Sequence, residues 1–239
     1  MNNGNDRLRL LAVCVSLLLI LSVPALTKGD AKSDGLKALV SQRVHPVLIR
    51  NDHNPLFHLE VHAKTPFVMV RSITVSLAGT DDRDDIDSLQ IFFTGDSAAF
   101  STSASFGDSE QADDTIVFRG HARLRAGTNH FWLSCRLKHD ADLDHKIDAT
   151  STGIETSAGR ITPVDKTNGI RKRIGIALRK HYDDGVHTYR IPALATTPQG
   201  TLLCVYDMRR RKSKDLQEDI DIGLLRSTDG GRYWEAQRV

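Results

Sequence analysis

Ser227-Thr228-Asp229-Gly230-Gly231-Arg232-Tyr233-Trp234 is the stretch whose reading decides the fold. Its form is Ser-x-Asp-x-Gly-x-x-Trp. An aspartate so placed accepts hydrogen bonds from nearby backbone N–H groups. The two glycines admit backbone angles closed to other residues, and the tryptophan has a large ring to bury between strands. These are the parts of a tight turn, and none of them performs chemistry. Upstream, residues 174–178, 191–196, 202–207 and 222–227 read as strands, with Pro198-Gln199-Gly200 as a turn between the second and third. Four antiparallel strands in so short a span fit one blade of a β-propeller. One blade cannot close a propeller, and its edges would stay unpaired. The chain is therefore expected to be a fragment, with further blades on sequence beyond it.

Further towards the N-terminus the pattern is again β. Leu59, Val61 and Ala63 alternate with His58, Glu60 and His62, and Ile73, Val75 and Leu77 alternate with Ser72, Thr74 and Ser76. Leu89, Ile91 and Phe93 keep the same period, as do Leu133, Cys135 and Leu137. Such alternation gives each strand one core face and one solvent face. Polar turns separate the runs, and no segment sustains a helical period. The prediction is an all-β chain: an antiparallel β-sandwich over 36–162, a linker from Pro163 to Arg173, and the start of a β-propeller over 172–239. The basic cluster Arg171-Lys172-Arg173 is expected to be a solvated surface segment.

The first residues read as an export signal over 1–25. Arg7 and Arg9 precede an apolar run, and Val23-Pro24-Ala25 places small residues at a cleavage site. The alternative is an uncleaved anchor, although 10–26 is shorter than the ~20 residues a spanning helix needs. Export is expected either way, to the periplasm, the medium or the cell envelope, with membrane contact only through this segment. The formal net charge of +2 suggests no nucleic-acid partner. Of three cysteines, Cys14 lies in the apolar run. Cys135 and Cys204 fall in different predicted domains, which favours core thiols over a disulfide framework.

Two acidic runs and the histidines bear on metals. Asp140, Asp142, Asp144 and Asp148 fall short of an EF-hand, because His145 and Ser151 stand where glycine and glutamate are required. The run from Asp81 to Asp87 has no ordered ligand spacing. Solvated loops are expected for both. The ten histidines show no zinc-ligand motif, and no metal or other cofactor is expected.

Residues 174–235 resemble the start of the catalytic propeller of bacterial exo-α-sialidases. The resemblance rests on His187-Thr188-Tyr189-Arg190-Ile191-Pro192-Ala193-Leu194, Tyr206-Asp207-Met208-Arg209-Arg210, Asp215-Leu216, Asp219-Ile220-Asp221 and the box. It implies a six-bladed propeller and hydrolysis of terminal sialic acids, with retention, from glycoproteins, gangliosides or oligosaccharides. The family holds the substrate carboxylate with three arginines. Two of them match Arg190, in Tyr-Arg-Ile-Pro, and Arg209, after the next strand. Arginine suits the task because its planar fork makes two parallel hydrogen bonds and stays charged. Arg210 and Arg211 adjoin Arg209, so a shifted register stays open. Asp215 matches the family's acid/base aspartate, with Asp219 and Asp221 as rivals. The family's nucleophile is a tyrosine activated by a glutamate. That pair and the third arginine come from later blades, and none of Tyr182, Tyr189, Tyr206 and Tyr233 is assigned the role.

A weaker resemblance links 75–94 and 129–149 to the β-sandwich that precedes some bacterial sialidase propellers. Trp132 could stack on a sugar ring there or pack in the core beside Phe131. The implied partners are sialylated glycans. The 239-residue chain alone is expected to be inactive. The alternative function is a non-catalytic, glycan-binding propeller, since such boxes also occur in proteins that hydrolyse nothing.

Overall fold

Two-residue alternation over 58–63 fixes the first layer, because it sends Leu59, Val61 and Ala63 inward, all fully buried, and leaves His62 exposed. The computed structural model describes residues 35–167, 169–215 and 219–239. The expected export signal and Cys14 lie outside the described residues. In chain order the strands are β1 Leu36–Ser41, β2 Val47–Ile49, β3 Asn54–Ala63, β4 Met69–Ser76 and β5 Ile86–Gly95. They continue with β6 Thr115–Arg123, β7 Gly127–Leu137, β8 Lys146–Ile147, β9 Thr150–Thr156 and β10 Gly159–Ile161. The last are β11 Val164–Asp165, β12 Lys172–Ile176, β13 Thr188–Thr196, β14 Leu202–Arg209 and β15 Ile220–Ser227. Among the described residues helix is limited to two single 3-10 turns, and no helix is long and apolar enough to cross a membrane.

Two sheets face each other. One has the order β11-β1-β3-β7-β5 and the other β10-β9-β4-β6. Their inner faces meet in a single apolar core that includes Val40, Leu59 and Leu133 from the first and Ile73, Phe118 and Ile154 from the second. Phe106 meets Phe131 edge to face at 5.5 Å, an arrangement favoured by the ring quadrupoles. Phe106 sits on the segment that follows β5. That segment donates from the Phe106 and Glu110 N–H groups to the carbonyls of Ile91 and Leu89. It thus occupies hydrogen-bonding groups that an edge strand would otherwise leave open. Gly107 lets it approach β6, since a Cβ there would lie 2.0 Å from the Arg119 carbonyl oxygen.

The structure corrects the prediction for residues 174–178. They do not open the blade. β12 lies between β2, to which it is parallel, and β8. Ile174 is buried in the sandwich core, and that burial, with the pairing to β2, draws the strand away from the blade. The blade sheet therefore has three strands, in the order β13-β14-β15, paired antiparallel as a meander. It has its own small cluster of Val186, Cys204, Tyr206, Met208 and Leu225, with Trp234 packed against it. Cys135 and Cys204 are both buried free thiols.

The predicted linker and basic cluster are also more structured than expected. β11 pairs parallel to β1. Lys172 is buried, its Nζ donating to the Arg43 carbonyl at 2.5 Å, and burial lowers its pKa. Arg171 donates to the Gly79 carbonyl and pairs with Asp81. The two acidic runs, expected to be solvated, are joined through Asp85. That carboxylate is buried and accepts from the Asp142 N–H at 2.9 Å and from His145 Nδ1 at 2.8 Å. A buried carboxylate must find such partners.

Candidate active site

Tyr189-Arg190-Ile191-Pro192 lies on β13, where the ladder is broken. Arg190 pairs with Asp207 of β14, and the next pair is Ala193 with Val205. One extra residue is thus inserted between them, a β-bulge of the kind that re-aims a side chain. Ile191 takes φ +53°, an unusual value for a β-branched residue, and Pro192 has no N–H to offer the ladder. Sequence and strain coincide beside Arg190.

β14 supplies the second arginine at its last residue. The Arg209 side chain is only 2% exposed, so its charge needs partners. Nη2 donates to Asp207 Oδ2 at 3.0 Å and contacts Asp215 Oδ1 at 2.5 Å, while Nη1 donates to the Ser213 carbonyl at 2.8 Å. Its buried Nε–H has no partner among the described residues. Arg190 converges on the same two acceptors. Its Nη1 donates to the Ser213 carbonyl at 2.9 Å and to Asp215 Oδ1 at 3.2 Å. Two guanidinium groups thus share one carboxylate oxygen. Asp215 itself is largely solvent-exposed. The hydrogen bond from Arg209 is the main reason its pKa falls below the ordinary value, with the charge of Arg190 adding to it. For Arg209, burial works against the charge and is outweighed by Asp215 and Asp207, so its pKa rises.

The structure thus brings Arg190, Arg209 and Asp215 together. It gives the rivals other partners. Arg210 donates through Nε and Nη2 to Asp221 Oδ2 at 2.9 and 2.6 Å, and Arg211 lies 3.7 Å from Asp219. Two members of the constellation were not singled out in the sequence. Asp207 stands opposite Arg190 in register and holds Arg209. Ser213 contributes only a backbone carbonyl, for which residue identity gives no signal. Two of the blade's tyrosines have structural partners. Tyr189 Oη donates to the Asp183 carbonyl at 2.7 Å, and Tyr206 Oη donates to Gln237 Oε1 at 2.7 Å.

The box forms the turn its residue types demand. Asp229 accepts the Tyr233 N–H at 3.0 Å and the Ser227 hydroxyl at 2.8 Å. Ser227 Oγ in turn accepts the Gly231 N–H at 2.9 Å, and Trp234 Nε1 donates to the Gly231 carbonyl at 2.9 Å. Gly230 and Gly231 have φ of +77° and +93°. Arg232 reaches back to Asp144 at 2.5 Å, and Arg50 pairs with Asp183 at 2.6 Å, so ion pairs tie the blade segment to the sandwich loops.

Trp132 lies on the sandwich, 8% exposed and stacked on His58 with ring centroids 4.2 Å apart. Its Nε1 has no partner among the described residues. Trp132 thus packs against His58 on the outer side of the sheet and not in the core beside Phe131.

A sandwich followed by a blade with a turn box and paired arginines defines a class: the sialidases, in which a β-sandwich precedes a propeller. The comparisons agree. A family profile described as the N-terminal domain of BNR-repeat neuraminidase matches residues 36–159. A sialidase of Bacteroides fragilis (strain YCH46) is 33% identical over 221 residues, which cover 81% of this chain and 40% of that protein. A sialidase of Micromonospora viridifaciens is 48% identical over 56 residues, 23% of this chain and 8% of that protein. The solved structure of Hadza microbial sialidase Hz136 superposes with a TM-score of 0.73 at 27% identity, covering 84% of this chain and 43% of that one. The chain belongs to the BNR-repeat neuraminidase family. It spans about 40% of the length of the Bacteroides relative.

Proposed function

We propose that this chain is the N-terminal part of an exported exo-α-sialidase, and that Arg190 and Arg209 form two of the three arms holding the substrate carboxylate. The observation that carries the reading is the shared grip of the two arginines on one oxygen of Asp215. A site that holds one carboxylate in this way suits another. Sialic acid differs from most sugars in carrying such a group.

The same contact suggests how Asp215 works. Paired with both arginines it is a carboxylate with a depressed pKa and a poor acid. A substrate carboxylate arriving between the arginines displaces it. Asp215 then loses its strongest stabilising hydrogen bond, its pKa rises, and it becomes able to protonate the leaving oxygen. After departure of the aglycone it takes a proton from water. The tyrosine nucleophile, its glutamate and the third arginine would come from sequence after Val239. Export through residues 1–25 and action on sialylated glycoproteins, gangliosides or oligosaccharides belong to the same proposal.

The test is turnover of a fluorogenic sialoside by the gene's full product and by its Asp215→Ala variant. A loss of about 10²-fold or more in kcat is expected. Unchanged kcat would reject the acid/base assignment. No turnover by the wild type, with retained binding of sialosides, would favour the non-catalytic glycan-binding reading.

A further inference from the structure

We propose that the outer side of β3 and β7 carries a binding site for a divalent transition-metal ion, zinc foremost, with His58, Glu60 and His130 as its ligands. The site is separate from the arginine pair and does not depend on it. Alternation in β3 sends Leu59 and Val61 into the core, which leaves His58 and Glu60 together on the other side. The β3–β7 register then sets His130 directly across from Glu60, and Trp132 across from His58. Suitable donor atoms of all three residues lie within 4.8 Å of one another.

The geometry lies close to what an ion would need. His58 Nε2 and His130 Nδ1 face each other at 2.9 Å, within hydrogen-bond distance. Glu60 Oε1 lies 3.8 Å from His58 Nδ1. That is too far for a hydrogen bond, so the carboxylate stands beside the pair without closing on it. Tetrahedral zinc with bonds of about 2.0–2.1 Å needs the two nitrogens roughly 3.3 Å apart, an opening of a few tenths of an ångström. Two imidazoles with one carboxylate suit zinc and its neighbours better than calcium or magnesium. They also leave a fourth position for water or an added ligand. Trp132 stacked on His58 at 14° fixes the ring's plane. Arg43 is near enough to act on His58 and is the one charge among these neighbours that opposes a cation. No short-range motif announces the site, because its donors come from strands far apart in sequence.

Chelator-stripped, tag-free protein titrated with Zn²⁺ near neutral pH tests the proposal by calorimetry, with Co²⁺ absorption reporting the coordination geometry. One ion per chain is expected, bound at least about tenfold more weakly by Glu60→Gln and by His58→Gln. Cu²⁺ should quench the fluorescence of Trp132 in the wild type and not in those variants. Glu60 is partly exposed, so its variant keeps the test valid if changes at the buried His130 prevent folding. No uptake by the wild type, or uptake that both variants match, would overturn the proposal and leave a hydrogen-bonded histidine pair.

Discussion

At the residue scale, the site is a balance of charges around Asp215. Arg209 is nearly sealed from water and held by Asp207, the Ser213 carbonyl and Asp215. Arg190 is more open and approaches from a bulged strand. Asp215 is the partner that yields in this account, since it is exposed and, among the described residues, is held by the two guanidinium groups. Its pKa is depressed in the folded state. The stability it contributes is therefore present above its ordinary pKa of 3.8 and lost as the pH falls through the lower folded value. Asp215→Asn should melt below the wild type near neutral pH, and the gap should shrink between roughly pH 5 and pH 3. Thermal melts across that range check this. A gap that widens with acid would place the charge pairing elsewhere.

At the element scale, the box and the bulge divide the labour. The box closes the turn after β15 with a ring of hydrogen bonds from Ser227, Asp229, Gly231 and Trp234. Ser227 is buried. Ser227→Ala would leave the Gly231 N–H without its acceptor, at a cost of about 1–3 kcal/mol in urea denaturation. This element was legible because its spacing and residue types each have one physical use. The sandwich strands were legible for the same reason: their alternation at 58–63 and 73–77 matches their burial, and only Ser72, beside a bulge in the ladder, breaks it. Two features were not. Residues 172–176 have the pattern of a blade strand, yet their partner was decided by the open edge of β2, a tertiary fact. The acidic runs looked like solvated loops because their spacing matches no ligand set. Their hydrogen bonds through Asp85 join positions far apart in the chain. Asp207 was hidden in the same way, visible only once β14 is set beside β13.

At the scale of the whole molecule, the two apolar clusters are unequal. The sandwich core is extensive, whereas the blade rests on five buried residues and their neighbours. β13 leaves Ile191 and Leu194 exposed, and β15 does the same with Ile222. Apolar side chains on an edge strand are an association hazard unless something covers them. Further blades would cover them in the proposed full protein, and the same blades would bring the third arginine and the nucleophile. The carboxylate grip is the claim on which this account stands. Its most direct measurement compares kcat/KM of the full gene product on a sialoside and on the methyl ester of that sialoside, for the wild type and for Arg190→Ala. The account predicts a preference of about 10²-fold or more for the free acid, since a bidentate charge pair is lost in the ester, and a clearly smaller preference in the variant, which keeps two of the three arms. Equal turnover of acid and ester by the wild type, or an undiminished preference in Arg190→Ala, would contradict it.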